Sequence, residues 1–276
     1  MKRKLLVIMK NKWFLGSLLA IAALGVFGSQ EIIYMARQYM AGDTAWSPAP
    51  RELNGRVVFA EHYSMHPGHY TFTEKLGIAT KVDVKKMFGK SPAERKKAFA
   101  EFSTIRAKSP VGVLAPDFGL ETTTGETVRL SDKRGRIAVF MFVAMTCPPA
   151  RTQVDLWKGL YEKYDVSDVE IFFIYSRERH AGERGYPELK ETTTTPERMA
   201  YAKMLSEITA VPVAVDPIDE RTLKDYGMVP NAAFVVDREG FVVFKSQWAD
   251  IRKIEQVVQQ LLVAEGLKKQ IKVSSS

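Results

Sequence analysis

Cysteine is nearly absent from this sequence. A single thiol, Cys147, stands among 276 residues, so no internal disulfide forms and cysteine usage does not report the redox compartment. Zinc sites built on paired cysteines are excluded for the same reason, as is a copper site that needs two cysteines and a histidine. Histidine is scarce too: there are four, and His62, His66 and His69 fall together in "HYSMHPGH". Three imidazoles so close are a composition that zinc and copper sites use. Pro67-Gly68 breaks any helix there, however, and a fourth ligand would have to be Glu61 or water. A polar loop is the preferred reading, with metal binding as the alternative.

Acidic residues are missing from the first thirty positions. Lys2, Arg3, Lys4, Lys10 and Lys12 precede the first acid, Glu31, and this cluster supplies much of the net charge of +8. The remainder is close to balanced. No basic stripe with interleaved aromatics and no zinc-finger spacing is present, so nucleic acid is not expected as a partner. After the basic residues comes "WFLGSLLAIAALGVFG", residues 13–28. That order is the charged start and apolar run of a targeting or anchoring segment. Sixteen residues fall short of the roughly 20 that span a bilayer, but "LLVIM" before it and "IIYM" after it extend the run. "VFG" before Ser29 is a poor cleavage site. An uncleaved anchor is therefore favoured over a cleaved signal, with a buried soluble helix third, and the positive charges keep the N-terminus inside.

The rest of the chain divides by pattern. Residues 1–40 are the anchor or signal segment, and 41–110 read as a linker with a helix near 92–107. There Ser91, Pro92 and Glu94 give a helix start. Residues 111–268 are regular, and 269–276 are a polar tail. No repeat is visible. "IAVFMFVAM" (137–145) and "VEIFFIYS" (169–176) are apolar runs of strand length, as expected of strands covered on both faces. A helix is expected from about 149 to 164. A second fits 196–209, with Thr195 as cap, Pro196 at N1 and Arg198 at N3. Then come "VPVAVD", a short helix near 220–226, a hairpin turning at Arg238-Glu239-Gly240, and an amphipathic helix over about 250–265. The order βαβ, α, β, α, ββ, α predicts an α/β fold with a central mixed sheet flanked by helices.

Cys147 follows the first of these strands and precedes the first helix. Ligands of open α/β sheets bind at the carboxyl ends of strands. A helix N-terminus also stabilises a thiolate, and Pro148 and Pro149 suit a first turn that needs no N–H donors. Free cysteine is often an inert buried hydrophobe, but this position favours a reactive thiol. Thr146 and Arg151 could hydrogen-bond a substrate or the thiolate. Tyr175 and Trp157 read as core.

"VLAPDFGLETTTGETVRLSDKRGRIAVFMF" and "YGMVPNAAFVVDREGFVVFK" resemble the opening and closing of the redoxin branch of the thioredoxin-fold superfamily, over about 111–265. The resemblance implies a thioredoxin-like fold and places Pro230, after Val229 in a cis bond, opposite the thiol to shape a substrate groove. Thioredoxins carry C-x-x-C; here those positions read Cys147-Pro148-Pro149-Ala150. Peroxiredoxins carry P-x-x-x-T-x-x-C; here Phe140 and Ala144 fill the Pro and Thr positions. "TCPP" with "FFIYSRERH", whose His180 lies 33 positions after Cys147, resembles the iodothyronine deiodinases. Sulfur stands in place of their selenium, Met145 in place of a cysteine and Tyr186 in place of a tryptophan. The resemblance implies Cys147 as nucleophile, His180 as thiolate stabiliser or proton donor, and Glu178 as its orienting group. Thr146 and Pro148 would be supporting residues.

The expectation is thus a membrane-anchored, extracytoplasmic thiol oxidoreductase with a thioredoxin-like fold. It needs no metal or organic cofactor. With one cysteine, an external thiol, a redox partner protein or a second copy in a homodimer must regenerate it. A one-cysteine peroxidase and a non-catalytic scaffold binding an envelope partner through 41–108 are the competing classes.

Overall fold

The architecture grows outward from one strand. Residues 137–143 are seven consecutive apolar side chains, all buried, and a run without a polar face has to be covered on both sides. A computed structural model describes residues 49–62, 111–147, 150, 153–178, 181–182, 186–227, 231–246, 249–264 and 266. In chain order its elements are β1 (Arg51–Leu53), β2 (Arg56–Val58), β3 (Gly119–Glu121), β4 (Thr127–Arg129), β5 (Ile137–Val143), α1 (Val154–Lys163), β6 (Val169–Tyr175), α2 (Thr195–Ser206), β7 (Val213–Val215), α3 (Arg221–Asp225), β8 (Ala233–Val236), β9 (Val242–Ser246) and α4 (Ile251–Ala264).

Five strands form the central sheet in the order β7-β6-β5-β8-β9. β5, β6 and β7 are parallel; β8 runs antiparallel to β5, and β9 to β8. This is the mixed sheet the sequence predicts. Alternation along β5 splits the core in two. Val139, Met141 and Val143 pack with Trp157 and Leu160 of α1 and with Ile254, Val257 and Val258 of α4. Phe140 and Phe142 face the other way, into Phe118, Phe172, Phe234 and Tyr226. Phe140 stacks on Phe172 at 5.5 Å and meets Tyr226 edge-on at 5.2 Å, the two geometries that aromatic quadrupoles favour.

Helix α2 starts one residue earlier than the sequence reading put it. Thr194, not Thr195, is the cap: its side chain accepts from the Glu197 N–H, and the Glu197 carboxylate accepts from the Thr193 and Thr194 N–H groups. Closing that reciprocal box takes an acceptor side chain at N3, which Glu197 supplies and Arg198 does not. Arg198 is instead buried, with NH1 donating to the carbonyls of Asp216 and Pro217.

Both edges of the sheet are paired. Thr123 donates to Val213 on the β7 side. On the β9 side, Gly112 donates to Val242 and Val242 to Val113, while Phe59 donates to Val243 and His62 to Lys245. Residues 51–62, read from the sequence as linker, therefore form a hairpin and an added strand-like segment on the sheet. Such pairing removes open edges that would otherwise recruit another chain. Among the described residues no helix is long and apolar enough to cross a membrane. The anchor expected over 1–40, the helix near 92–107 and the polar tail lie outside the described residues.

Candidate functional site

The strand directions bring the carboxyl ends of β5, β6 and β7 together with the start of β8 and the end of β9. Cys147 emerges at this end, four residues beyond β5. It forms no disulfide, and the residue is only 6% exposed.

Glu178 fixes the route from β5 to the thiol. One carboxylate oxygen accepts from the Met145 N–H at 3.0 Å and from the Tyr175 hydroxyl; the other accepts from the Thr146 N–H at 2.9 Å and from the Thr146 hydroxyl. The Met145 N–H also reaches the Tyr175 oxygen at 3.1 Å. Glu178, Thr146 and Tyr175 are all buried, so hydrogen bonds replace the water that this carboxyl has lost. Burial first, and then the neighbouring Glu178 carboxyl, push the Tyr175 phenol above its ordinary range, which keeps it a donor.

The Thr146 hydroxyl and N–H both go to Glu178, a structural use of a residue the sequence offered as substrate-binding or supporting. Glu178 holds the turn before the thiol through these donors; His180, which the resemblance has it orient, lies outside the described residues. Tyr175, read as core, is buried and also belongs to the network. The sequence did carry a signal for it: a phenol closes the strand, three residues before the glutamate.

Beyond the thiol, Ala150 is helical and donates to the Cys147 carbonyl at 3.2 Å, and Gln153 donates to Ala150. Gln153, at φ −115° and ψ 4°, is the N-cap residue of α1. Its buried side chain donates to the Ala249 carbonyl at 2.8 Å and accepts from the Ile251 N–H at 3.2 Å. Nothing in the sequence flags Gln153 for this task.

Asn231 was likewise missed. It opens β8 at φ +69°, its carbonyl accepts from the Ala249 N–H, and its buried side-chain amide has no hydrogen-bond partner at either atom. His180, Pro148, Arg151 and Pro230 lie outside the described residues, as do His66 and His69.

His62 is not a loop ligand. It is buried, with Nδ1 at 3.1 Å from the Ser246 hydroxyl and Nε2 at 2.8 Å from the Lys253 ammonium. An ammonium only donates, so Nε2 accepts and Nδ1 carries the proton. A ring with both nitrogens engaged has no lone pair left for a metal. Among the described residues no group of His, Cys, Asp or Glu is arranged to hold one.

Comparison with known proteins matches residues 111–245 to the AhpC/TSA family. The thiol-disulfide oxidoreductase ResA of Geobacillus thermodenitrificans (strain NG80-2) is 30% identical over 145 residues, which are 52% of this chain and 73% of that protein. This chain belongs to the AhpC/TSA family. Solved structures with a similar course include the exposed lipoprotein thioredoxin of Streptococcus pneumoniae, at 24% identity over 53% of this chain and 100% of that one, with a TM-score of 0.42. Another is a thiol:disulfide interchange protein of the thioredoxin family from Chlorobium tepidum TLS, at 18% identity over 54% and 96%, with a TM-score of 0.42. Within this AhpC/TSA chain the matched segment contains the thiol, the Glu178 network and Asn231.

Proposed function

We propose that this chain is a thiol–disulfide oxidoreductase working through one nucleophilic cysteine, Cys147. The observation that carries the reading is the Glu178 network: three donor contacts hold Met145 and Thr146, the two residues before the only thiol of the chain, and a fourth ties in Tyr175. An inert buried sulfur needs no such support. The family and the identity to a thiol-disulfide oxidoreductase support the same chemistry.

In the first step the Cys147 thiolate attacks one sulfur of a substrate disulfide. That S–S bond breaks, a mixed disulfide forms, and the departing thiolate takes up a proton. An external thiolate then attacks the substrate sulfur of the mixed disulfide, forms a new disulfide with it, and releases the Cys147 thiolate. Ala150 stands where a C-x-x-C protein carries its second thiol, so the second step is intermolecular. The reductant is a small thiol, a redox partner protein or a second copy of the chain.

A finer form of the reading is reductive dehalogenation in the manner of the iodothyronine deiodinases: the Cys147 thiolate takes iodine from carbon as a sulfenyl iodide while carbon takes a proton, an external thiol displaces iodide and forms a mixed disulfide with Cys147, and a second thiol reduces that disulfide and frees the thiolate. What supports it is the Thr146-Cys147-Pro148 motif and the Tyr175–Glu178–His180 segment. The proposed setting is outside the cytoplasm, anchored by residues 1–40, supported by the basic start and apolar run of that segment.

The test is intact-mass kinetics of the purified chain against a small-molecule disulfide, an iodinated phenol and hydrogen peroxide, with Cys147→Ser as control. A mixed disulfide forming faster than on free cysteine supports the proposal, and released iodide supports its finer form. Fast gain of one oxygen from peroxide, with slow disulfide reaction, would move the chain to the peroxidases. No reaction above that of free cysteine would leave a binding scaffold. Protease accessibility of the domain in intact cells tests the setting.

A further inference from the structure

We infer that Asn231 is a specificity-determining residue of this site, whose side-chain amide pairs with the peptide backbone of a polypeptide disulfide. The inference rests on the thiol–disulfide reading above. Its starting observation is an imbalance. Asn231 is 1% exposed, and neither its side-chain nitrogen nor its side-chain oxygen has a hydrogen-bond partner. Buried polar groups are nearly always paired, and an exception calls for a reason.

Backbone geometry does not supply that reason. Asn231 is left-handed, at φ +69°, and asparagine tolerates this region better than most residues. Glycine tolerates it better still and would bury no amide. Where asparagine serves only a turn, its side chain bonds its own backbone or meets water. Here it does neither.

The position points to the thiol. Met141 pairs with Ala233 and the Phe142 N–H donates to Ala232, so continuing the register sets Asn231 across from Val143, where the chain leaves β5 for Cys147. A circuit of hydrogen bonds closes around this point. Ala150 donates to Cys147, Gln153 donates to Ala150 and, through its side chain, to Ala249, and Ala249 donates to Asn231. The backbone of Asn231, which carries the unpaired amide, is thus joined to the segments that carry the thiol.

A primary amide offers N–H donors beside a carbonyl acceptor, the complement of a peptide group. A polypeptide whose disulfide is to meet Cys147 must lie across this end of the sheet and needs partners for its own backbone. In the unliganded protein the amide is covered, so the arriving chain has to turn the covering side chains aside. Having done so it pairs a group that has no partner within the protein, and a buried group gains more from pairing than an exposed one. A small-molecule disulfide has no peptide group and gains nothing.

The test uses the full-length protein and two disulfides with the same leaving group. One is a heptapeptide whose central cysteine is joined to 2-mercaptoethanol; the other is 2-hydroxyethyl disulfide. Rates of mixed-disulfide formation at Cys147 are measured for wild type, Asn231→Gly and Asn231→Asp. Glycine keeps the left-handed backbone, and aspartate keeps the shape without the N–H donors. The expected result is a loss of about 10-fold on the peptide for either variant, the size of one to two hydrogen bonds. The small disulfide should react at the wild-type rate, and Asn231→Gly should melt no lower than wild type. Equal losses on both disulfides, or no loss on the peptide, would overturn the assignment. A wild-type Cys147 inert to both would overturn the thiol–disulfide reading, and the assignment with it. If only one variant folds, the other decides.

Discussion

Replacing Glu178 by glutamine tests whether the buried carboxylate holds the thiol turn. Glutamine keeps the shape but exchanges one acceptor oxygen for an NH2 donor. If that NH2 takes the place facing Thr146, the Thr146 N–H loses its acceptor, because a backbone N–H cannot turn to accept. In the other orientation it faces the Met145 N–H, which keeps only its 3.1 Å contact to Tyr175, and the hydroxyls of Thr146 and Tyr175 rotate to adapt. The second arrangement is the less costly and removes one hydrogen bond to a charged group, about 1.5–3 kcal/mol. For a domain of this size each kcal/mol shifts the melting temperature by about 2–4 °C, giving a fall of roughly 3–12 °C. Thermal unfolding measures this directly. A second readout is the rate at which Cys147 reacts with a small disulfide across pH 5–9, which should drop in Glu178→Gln because Thr146 and Met145 no longer fix the approach to the sulfur. A melting temperature within about 1 °C of wild type, together with an unchanged rate profile, would refute the reasoning.

Three other perturbations follow from the same geometry. Gln153→Ala strips the buried partner from the Ala249 carbonyl and the Ile251 N–H; it should cost about 2–4 kcal/mol in urea unfolding, and a cost below 1 kcal/mol would mean that water replaces the side chain. Gly240→Ala places a methyl at φ +89° against the Arg134 guanidinium, so a loss of about 1–2 kcal/mol is expected and a gain would contradict it. The Glu197 carboxyl is held below the usual carboxylate range, chiefly by the Thr193 N–H and next by the Thr193 hydroxyl. A lowered folded-state value stabilises above the unfolded value and is lost as pH falls through the folded one. The stability difference between wild type and Glu197→Gln should therefore be constant above about pH 5 and shrink in more acidic buffer, and a pH-independent difference would sink the assignment.

What could be read from the sequence depended on whether neighbours in the chain carry the signal. The wholly apolar run at 137–143 and the run at 169–175, broken only by Glu170, announce buried parallel strands. Asp237 to Gly240 announces its hairpin because glycine at positive φ closes the turn, with the Gly240 N–H donating to Asp237. Cys147 was found from its place after a strand. The roles of Thr146 and Glu178 were not legible, because their bonds join residues 32 and 33 positions apart and the sequence offered a histidine as the nearer partner. His62 misled for a related reason. Its companions in the chain are His66 and His69, whereas its companions in space are Ser246 and Lys253, 184 and 191 positions away. The hairpin over 51–58 escaped notice because its strands are three residues each, too short for a period of two to register.

The carboxyl end of the sheet is where buried polar side chains hold backbone. Glu178 takes the N–H groups of Met145 and Thr146, Gln153 takes Ile251 and Ala249, and Asp216 takes the N–H groups of Thr222 and Leu223. Burial raises the Asp216 carboxyl above its ordinary value, a sign that this arrangement is maintained against desolvation. An apolar core of similar volume would be no less stable than such groups, so their concentration at one end argues for geometry over stability. What they fix is the path of the chain into Cys147, out of it, and across to β8. A two-cysteine oxidoreductase can tolerate a looser turn, because its second thiol completes the reaction within the molecule. On the proposed mechanism, with Ala150 in that place, turnover passes through an intermolecular mixed disulfide, and three sulfurs must line up while two of them belong to other molecules. Holding reacting groups in line lowers such a barrier, and the hydrogen bonds that Glu178 accepts from Met145 and Thr146 are how this chain would set the approach to Cys147.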